Sequence, residues 1–333
     1  FSLGVQHEIA PSVIWIVQYV GNTAWSQNID NPINNYPLST PDNIRANAGD
    51  GSNKSGTNPG GHSLANANLY RTYQGFAGIT QQQNTTNGSY NGFQTGLRLQ
   101  NKWGLSGEVD YTWSHEIDIT SYDLATISNP FNVAYDYGSG ALDRRHILVA
   151  NYIYDLPFFK GGSGLTHSLL GGWQVAGTFV AESGYLGALQ SNQGVGLSVG
   201  YDPVGLGGGY TNRPDVSRRP RAIKNVKQWF DTSVFSAPTP SWAGGPNLGF
   251  GNARKDIVVG PGRENFTTSL YKTFDIKEVA HIELRFESFN TFNHTEFMGV
   301  NSNYNGPNQA GNFGAINSTW DPRVLQLGGK FSF

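Results

Sequence analysis

Asp321-Pro-Arg-Val-Leu-Gln-Leu-Gly-Gly-Lys-Phe-Ser-Phe333 places Leu325, Leu327, Gly329, Phe331 and Phe333 at every second position, with Gln326, Gly328, Lys330 and Ser332 between them. A period of two is the signature of a strand with one apolar and one wet face. This strand runs onto an aromatic carboxyl terminus. In water it would be an adhesive edge or a frayed tail. A barrel in the outer membrane of a bacterium instead uses such a strand to close on itself and leave no edge. Leu325, Leu327, Phe331 and Phe333 are accordingly read as the barrel-closing strand.

The same alternation recurs upstream. In Ala280–Thr291 the apolar residues Ile282, Leu284 and Phe286 interleave with His281, Glu283, Arg285 and Glu287. In Leu105–Trp113 the apolar Leu105, Val109, Tyr111 and Trp113 interleave with Ser106, Glu108, Asp110 and Thr112. Trp173, Val175 and Phe179 oppose Gln174, Thr178 and Glu182. A soluble β-sandwich also alternates. Strands of ten or more residues that carry charges in mid-strand favour a membrane wall, with lipid on one side and water on the other. On that reading His281, Glu283, Arg285, Glu287, Glu108 and Asp110 face the lumen.

Composition agrees with an all-β antiparallel transmembrane barrel. The 333 residues include 43 Gly, 8 Trp, 16 Tyr and 19 Phe, with 14% charged residues and no Cys. Such Gly and aromatic content suits many strands, wide loops and aromatic belts at two interfaces. The mean hydropathy of −0.39 does not argue against a barrel, half of whose strand residues meet water. No run of 18 apolar residues exists, which excludes a transmembrane helix. The absence of Cys fits an exported chain, and a net charge of −2 gives no support for nucleic-acid binding. The chain opens on Phe-Ser-Leu-Gly-Val with neither an initiator Met nor a signal peptide, and its first residues already read as strand. A piece of a longer chain is the favoured expectation.

Strands are expected at Phe1–Ile9, Val13–Gly21, Phe76–Gln83, Tyr90–Gln100, Leu105–Asp118, Arg145–Leu156, Gly172–Ser183, Asn265–Phe274 and Ala280–Thr291, before the closing strand. A short helix or strand is expected near Lys224–Phe230. Tight turns alternate with long polar loops at about 22–70, 119–143, 190–262 and 295–320. Such asymmetry is that of outer-membrane barrels, whose long loops lie outside the cell. About ten spanning strands carrying loops this large suggest the carboxy-terminal half of a barrel of about 22 strands with a plugged interior.

Several segments resemble the carboxy-terminal region of Oar-like TonB-dependent outer-membrane receptors of the Acidobacteria type. They are Phe1-Ser-Leu-Gly-Val-Gln-His-Glu8, Tyr19-Val-Gly21, Asp143-Arg-Arg-His-Ile-Leu-Val-Ala-Asn-Tyr152 and Leu169-Leu-Gly-Gly-Trp-Gln-Val-Ala-Gly177. Glu283-Leu-Arg-Phe-Glu-Ser-Phe-Asn-Thr-Phe-Asn-His294, Gly314-Ala-Ile-Asn-Ser-Thr319 and Asp321-Pro-Arg-Val-Leu-Gln-Leu327 complete the set. They keep the family's order over most of the chain, and the loops 22–70 and 190–262 carry little of the match. The resemblance implies a transporter with an amino-terminal regulatory-like domain, a plug and a TonB box, none of which is visible in this sequence. It implies as partners outer-membrane lipid and lipopolysaccharide, the barrel-assembly machinery, the rest of the receptor and, through it, TonB. The cargo stays open. Two other readings compete: a structural or adhesive surface protein, and a fragment assembling with other chains outside the membrane.

The remaining motifs each carry two readings. Asp143-Arg144-Arg145-His146 suits a grip on lipopolysaccharide or a plug carboxylate, and equally an anchoring pair at a strand end. Glu283, Arg285 and Glu287 suit a plug-holding wall or a self-neutralised network. His294 with Glu296 is a weak metal pair, and Asp118, Asp123, Asp136 and Asp143 fit no Ca²⁺-loop spacing. No Ser-His-Asp arrangement has support, so neither catalysis, a metal nor a cofactor is expected. The loop aromatics Trp25, Tyr36, Tyr70, Tyr210, Trp229 and Trp242 are candidates for ligand contact, because loops carry function.

Overall fold

A computed structural model of the chain describes residues 1–40, 68–123, 125–159, 164–185, 199, 203–205, 212–276, 280–304 and 312–333. Nine long strands form one sheet in chain order: β1 (Ser2–Ala10), β2 (Val13–Pro32), β3 (Thr80–Lys102), β4 (Leu105–Asp118), β5 (His146–Asp155), β6 (Trp173–Glu182), β7 (Arg263–Ile276), β8 (Ala280–Phe289) and β9 (Val324–Ser332). Every neighbouring pair is antiparallel. The short strand Gly138–Ser139 adds to the far end of β4.

The registers carry the period-two pattern from strand to strand. Phe286 lies opposite Leu270 on β7 and Leu327 on β9, and Leu270 lies opposite Val175 on β6. Val109 lies between Leu97 and Ala150, and Tyr19 between Leu3 and Phe93. One apolar face therefore runs across all nine strands. It is not a dry interior, since Leu327 is 82% exposed, Phe331 60% and Leu284 48%. Exposure of that extent on one sheet face calls for lipid against it. The Phe179 and Phe266 rings stack on this face at 4.3 Å. Its polar tips are paired sideways: Trp15 Nε1 donates to Thr95 Oγ1 at 3.0 Å, and Tyr111 Oη lies 2.8 Å from His146 Nδ1.

Two strand expectations are corrected. The loop expected at 22–70 begins only after Pro32, because residues 22–32 continue β2. Phe76–Gln83 and Tyr90–Gln100 are not two strands; Thr80–Lys102 is continuous, and its Asn84–Ser89 stretch pairs with β2. Asn, Thr, Gly and Ser there read locally as a turn, but ladder hydrogen bonds override that preference. At about 3.3 Å per residue, β2 and β3 far exceed the roughly ten residues a membrane strand needs. Their halves nearest the long connections are mostly polar on both faces, Trp25 and Ile29 apart, so they lack the alternation that marks a spanning strand. The spanning set accordingly falls from about ten to nine among the described residues.

Short connections share one end of the sheet. β3 turns into β4 over Trp103 and Gly104, both with positive φ (58° and 80°), the backbone of a two-residue hairpin whose twist matches its strands. The long connections 33–79, 119–145, 183–262 and 290–323 share the other end. There the described residues of 183–262 and 290–323 build a second core around Val199, Phe230, Val234, Phe235, Val258, Val300 and Tyr304. Phe313 is its hub, with Phe230, Phe235 and Tyr304 edge-on at 5.3–5.6 Å. Residues 224–230, expected as a short helix or strand, form the strands Ala222–Asn225 and Gln228–Phe230.

Candidate functional site

The polar face and the loop cap standing on its rim form the candidate site. Glu108 and Asp110 on β4 project from the same face as Arg98 on β3, and Arg98 Nη2 lies 3.4 Å from Glu108 Oε2. Following the registers through β5, β6 and β7 brings His281, Glu283, Arg285 and Glu287 onto this same face. They do not touch the Glu108 group, since three strands intervene. Glu283 is bonded to Arg285 and lies opposite Lys330 of β9, and His281 Nδ1 sits 2.7 Å from Asp275. The expected lumen residues are thus co-facial, in two separate patches of mixed charge.

At the long-loop end the face meets buried ion pairs. Lys255 Nζ reaches Asp118 Oδ1 at 2.5 Å and the Asp118 carbonyl at 2.9 Å. Arg213 pairs with Asp136 at 2.7 Å, donates to the Ala253 and Tyr135 carbonyls, and lies 3.6 Å from the centre of the Tyr135 ring. Arg144 pairs with Glu182 at 2.7 Å and lies over Tyr185. Burial drops the Arg144 guanidinium to about 10, with Glu182 opposing the fall. Glu296 accepts from Arg263, from the Glu264 N–H and from Asn265. Burial pushes the Asp256 carboxyl up, but hydrogen bonds from Arg254 and the Ser139 N–H outweigh it and hold the group below its ordinary value. These contacts bind connections 119–145, 183–262 and 290–323 to the ends of β4, β6 and β7.

The weaker motifs find protein partners. Glu296 is committed to β7 and His294 donates its backbone N–H to Asn290, so the two form no joint ligand pair. Asp118, Asp136 and Asp143 are each held by a basic side chain, and Asp123 accepts from Asn28. Arg145 bonds Asp143 and His115, the anchoring arrangement at a strand end. Of the loop aromatics, Trp25 stands 71% exposed on the outer half of β2 and Tyr70 41% exposed in a 3₁₀ turn. Tyr36 is buried beneath Arg71, and Trp229 donates Nε1 to the Val259 carbonyl beside Phe297, so both rings are engaged in packing. Trp242 lies in the 3₁₀ turn Ser241–Ala243, and Tyr210 lies outside the described residues. The Arg213 and Lys255 locks have no local signal in the sequence, because their partners are 77 and 137 residues away.

No curated protein sequence matches the chain. Among solved structures, the outer membrane transporter YddB from Escherichia coli aligns at 10% identity with a TM-score of 0.47, over 98% of this chain and 31% of that one. The chain thus spans under a third of that protein's length. Residues 1–326 match the family described as outer membrane beta barrel domain. The chain belongs to this outer-membrane β-barrel family, and its place is the bacterial outer membrane.

Proposed function

We propose that the chain is the wall and external loop cap of a TonB-dependent, Oar-like transporter, acting by gated passage and not by catalysis. The observation that carries this reading is the charged face: Arg98, Glu108, Asp110, Glu283, Arg285, Glu287 and Lys330 lie on one side of the sheet, opposite the apolar one. A narrow barrel filled by its own side chains has little room for so many ionisable groups, whereas a wall facing water or a plug accommodates them. The long loops then lie outside the cell, and the plug and TonB box come from the remainder of the receptor. Nine antiparallel strands among the described residues support membership in a larger ring, since the first and last run the same way and outer-membrane rings pair antiparallel neighbours.

The chain has no Cys, so single thiols can be placed cleanly. Glu283→Cys and Glu108→Cys in the full-length receptor, carrying a photoactivatable thiol reagent in living cells, are expected to cross-link to the receptor's own plug, in a pattern that changes when TonB is deleted. A pattern that lacks plug adducts and ignores TonB refutes the transport reading. The interlocked cap favours a second one, an adhesive surface protein whose barrel only anchors, and that reading requires indifference to TonB.

A further inference from the structure

The loop cap contains a hollow of about 620 Å³, lined by none of Trp25, Tyr36, Tyr70 and Trp229. Its floor is rigid. Arg213 is held by Asp136 and two carbonyls, Tyr135 Oη donates to the Gly251 carbonyl at 2.7 Å, and the Tyr135 and Phe250 rings pack at 5.5 Å. Gly251 is required there, because a Cβ would sit 2.0 Å from the Arg213 carbonyl oxygen. The rim differs in kind. Phe131 is 44% exposed and Tyr137 54%, and neither ring is stacked on a protein ring among the described residues. The side-chain amides of Asn132 and Asn247 make no hydrogen bond among the described residues, although both line the hollow. Asn129 fixes one side of the rim, accepting the Phe131 and Asn132 N–H groups at 2.9 and 3.1 Å. On the other side Asn247 and Leu248 are both left-handed (φ 53° and 60°), a costly conformation for leucine that surrounding structure must impose.

We propose that this hollow binds a neutral oligosaccharide. A primary amide offers a donor and an acceptor side by side, which matches the paired donor and acceptor character of vicinal hydroxyls. Exposed aromatic rings offer apolar faces for the C–H side of a sugar ring. A peptide fits less well: the charged groups at the hollow, Arg213 and Arg254, are already paired with Asp136 and Asp256, and none of the described lining residues lies in a strand whose edge could pair with its backbone. The proposal deepens the reading of the cap as the ligand-facing end of a transporter.

The test is saturation-transfer NMR on the full-length protein in lipid nanodiscs, with maltoheptaose, cellohexaose, xylohexaose, chitohexaose and a mixed-sequence hexapeptide pool as probes. At least one oligosaccharide is expected to bind, and Asn132→Ala with Asn247→Ala to weaken it about tenfold or more, by loss of hydrogen bonds. Tyr137→Ala, with its exposed ring, supplies a second variant, and retention of the folded band on unheated gels controls for assembly. Binding of peptides alone, of nothing in the panel, or of sugars with unchanged affinity in both variants overturns the proposal. TonB-driven uptake is scored separately: sugar binding without uptake removes the transport reading and leaves the hollow's ligand standing. Uptake of sugar with no binding by the hollow does the reverse.

Discussion

At the scale of single residues, facing decides cost. Phe286 lies on the apolar side of β8, between Leu270 and Leu327, while Arg285 beside it is bonded to Glu283 on the polar side. Phe286→Arg should therefore cost roughly 2–4 kcal/mol if its depth is near the bilayer midplane, and Arg285→Leu far less. Denaturant titration of refolding into phospholipid vesicles measures both, and equal losses would contradict the assigned faces. Lys272 shows what a cation on the apolar side requires. It stands opposite Leu284 and Trp173, yet is buried, with its Nζ on the Gly171 carbonyl and 4.7 Å from the centre of the Phe274 ring. Its stem covers apolar surface while the ammonium reaches back to the turn end, the behaviour of a long basic side chain near an interface. Sequence periodicity places Lys272 on the apolar face but gives no hint of that escape, which depends on a turn a hundred residues earlier.

At the scale of elements, legibility follows the solvent boundary. β4, β6, β8 and β9 were readable because lipid on one side and water on the other impose a period of two on their side chains. The ends of β2 and β3 nearest the long connections were not, because polar residues on both faces give no pattern, and there only the mutual ladder and the cover of connection 119–145 over Ile29 and Thr86 hold them as strands. The charged face was legible as a list of residues, since mid-strand charges have few other uses; its division into two patches needed the order of the strands. The loops were least legible. Their core around Phe313 and their ion pairs join segments far apart in the chain, and nothing local announces such partners. Their energetic weight is testable at Arg213. Arg213→Ala leaves Asp136 buried without its partner and should cost about 3–5 kcal/mol. Hydrogen exchange would report it as lost protection in 125–145 and 212–258, with the strands unaffected. Asp136→Leu combined with Arg213→Met should recover much of that loss, because well-packed apolar replacements of a buried pair are often neutral. Equal damage in the single and double variants would assign the lock to something other than charge.

At the scale of the whole molecule, strand parity governs what the chain can do alone. With nine antiparallel strands among the described residues, β1 and β9 point the same way, and direct joining would make a parallel seam. Residues 1–333 produced alone and offered to vesicles should give no compact, heat-modifiable monomer on gels. Coexpression with an upstream segment that contributes an odd number of strands should restore one. A sealed monomer from 1–333 alone would mean that the ring closes in a way the registers do not foresee.

The aromatic centre under the loops also constrains the order of events in biogenesis. That centre draws on both 183–262 and 290–323, so it cannot be completed before both segments are on the same side. The segments 183–262 and 290–323 must therefore cross as slack chain and condense on the far side. Strand zippering comes first and the lid matures last, so a defect around Phe313 should strand the protein as an inserted ring with an unfinished top.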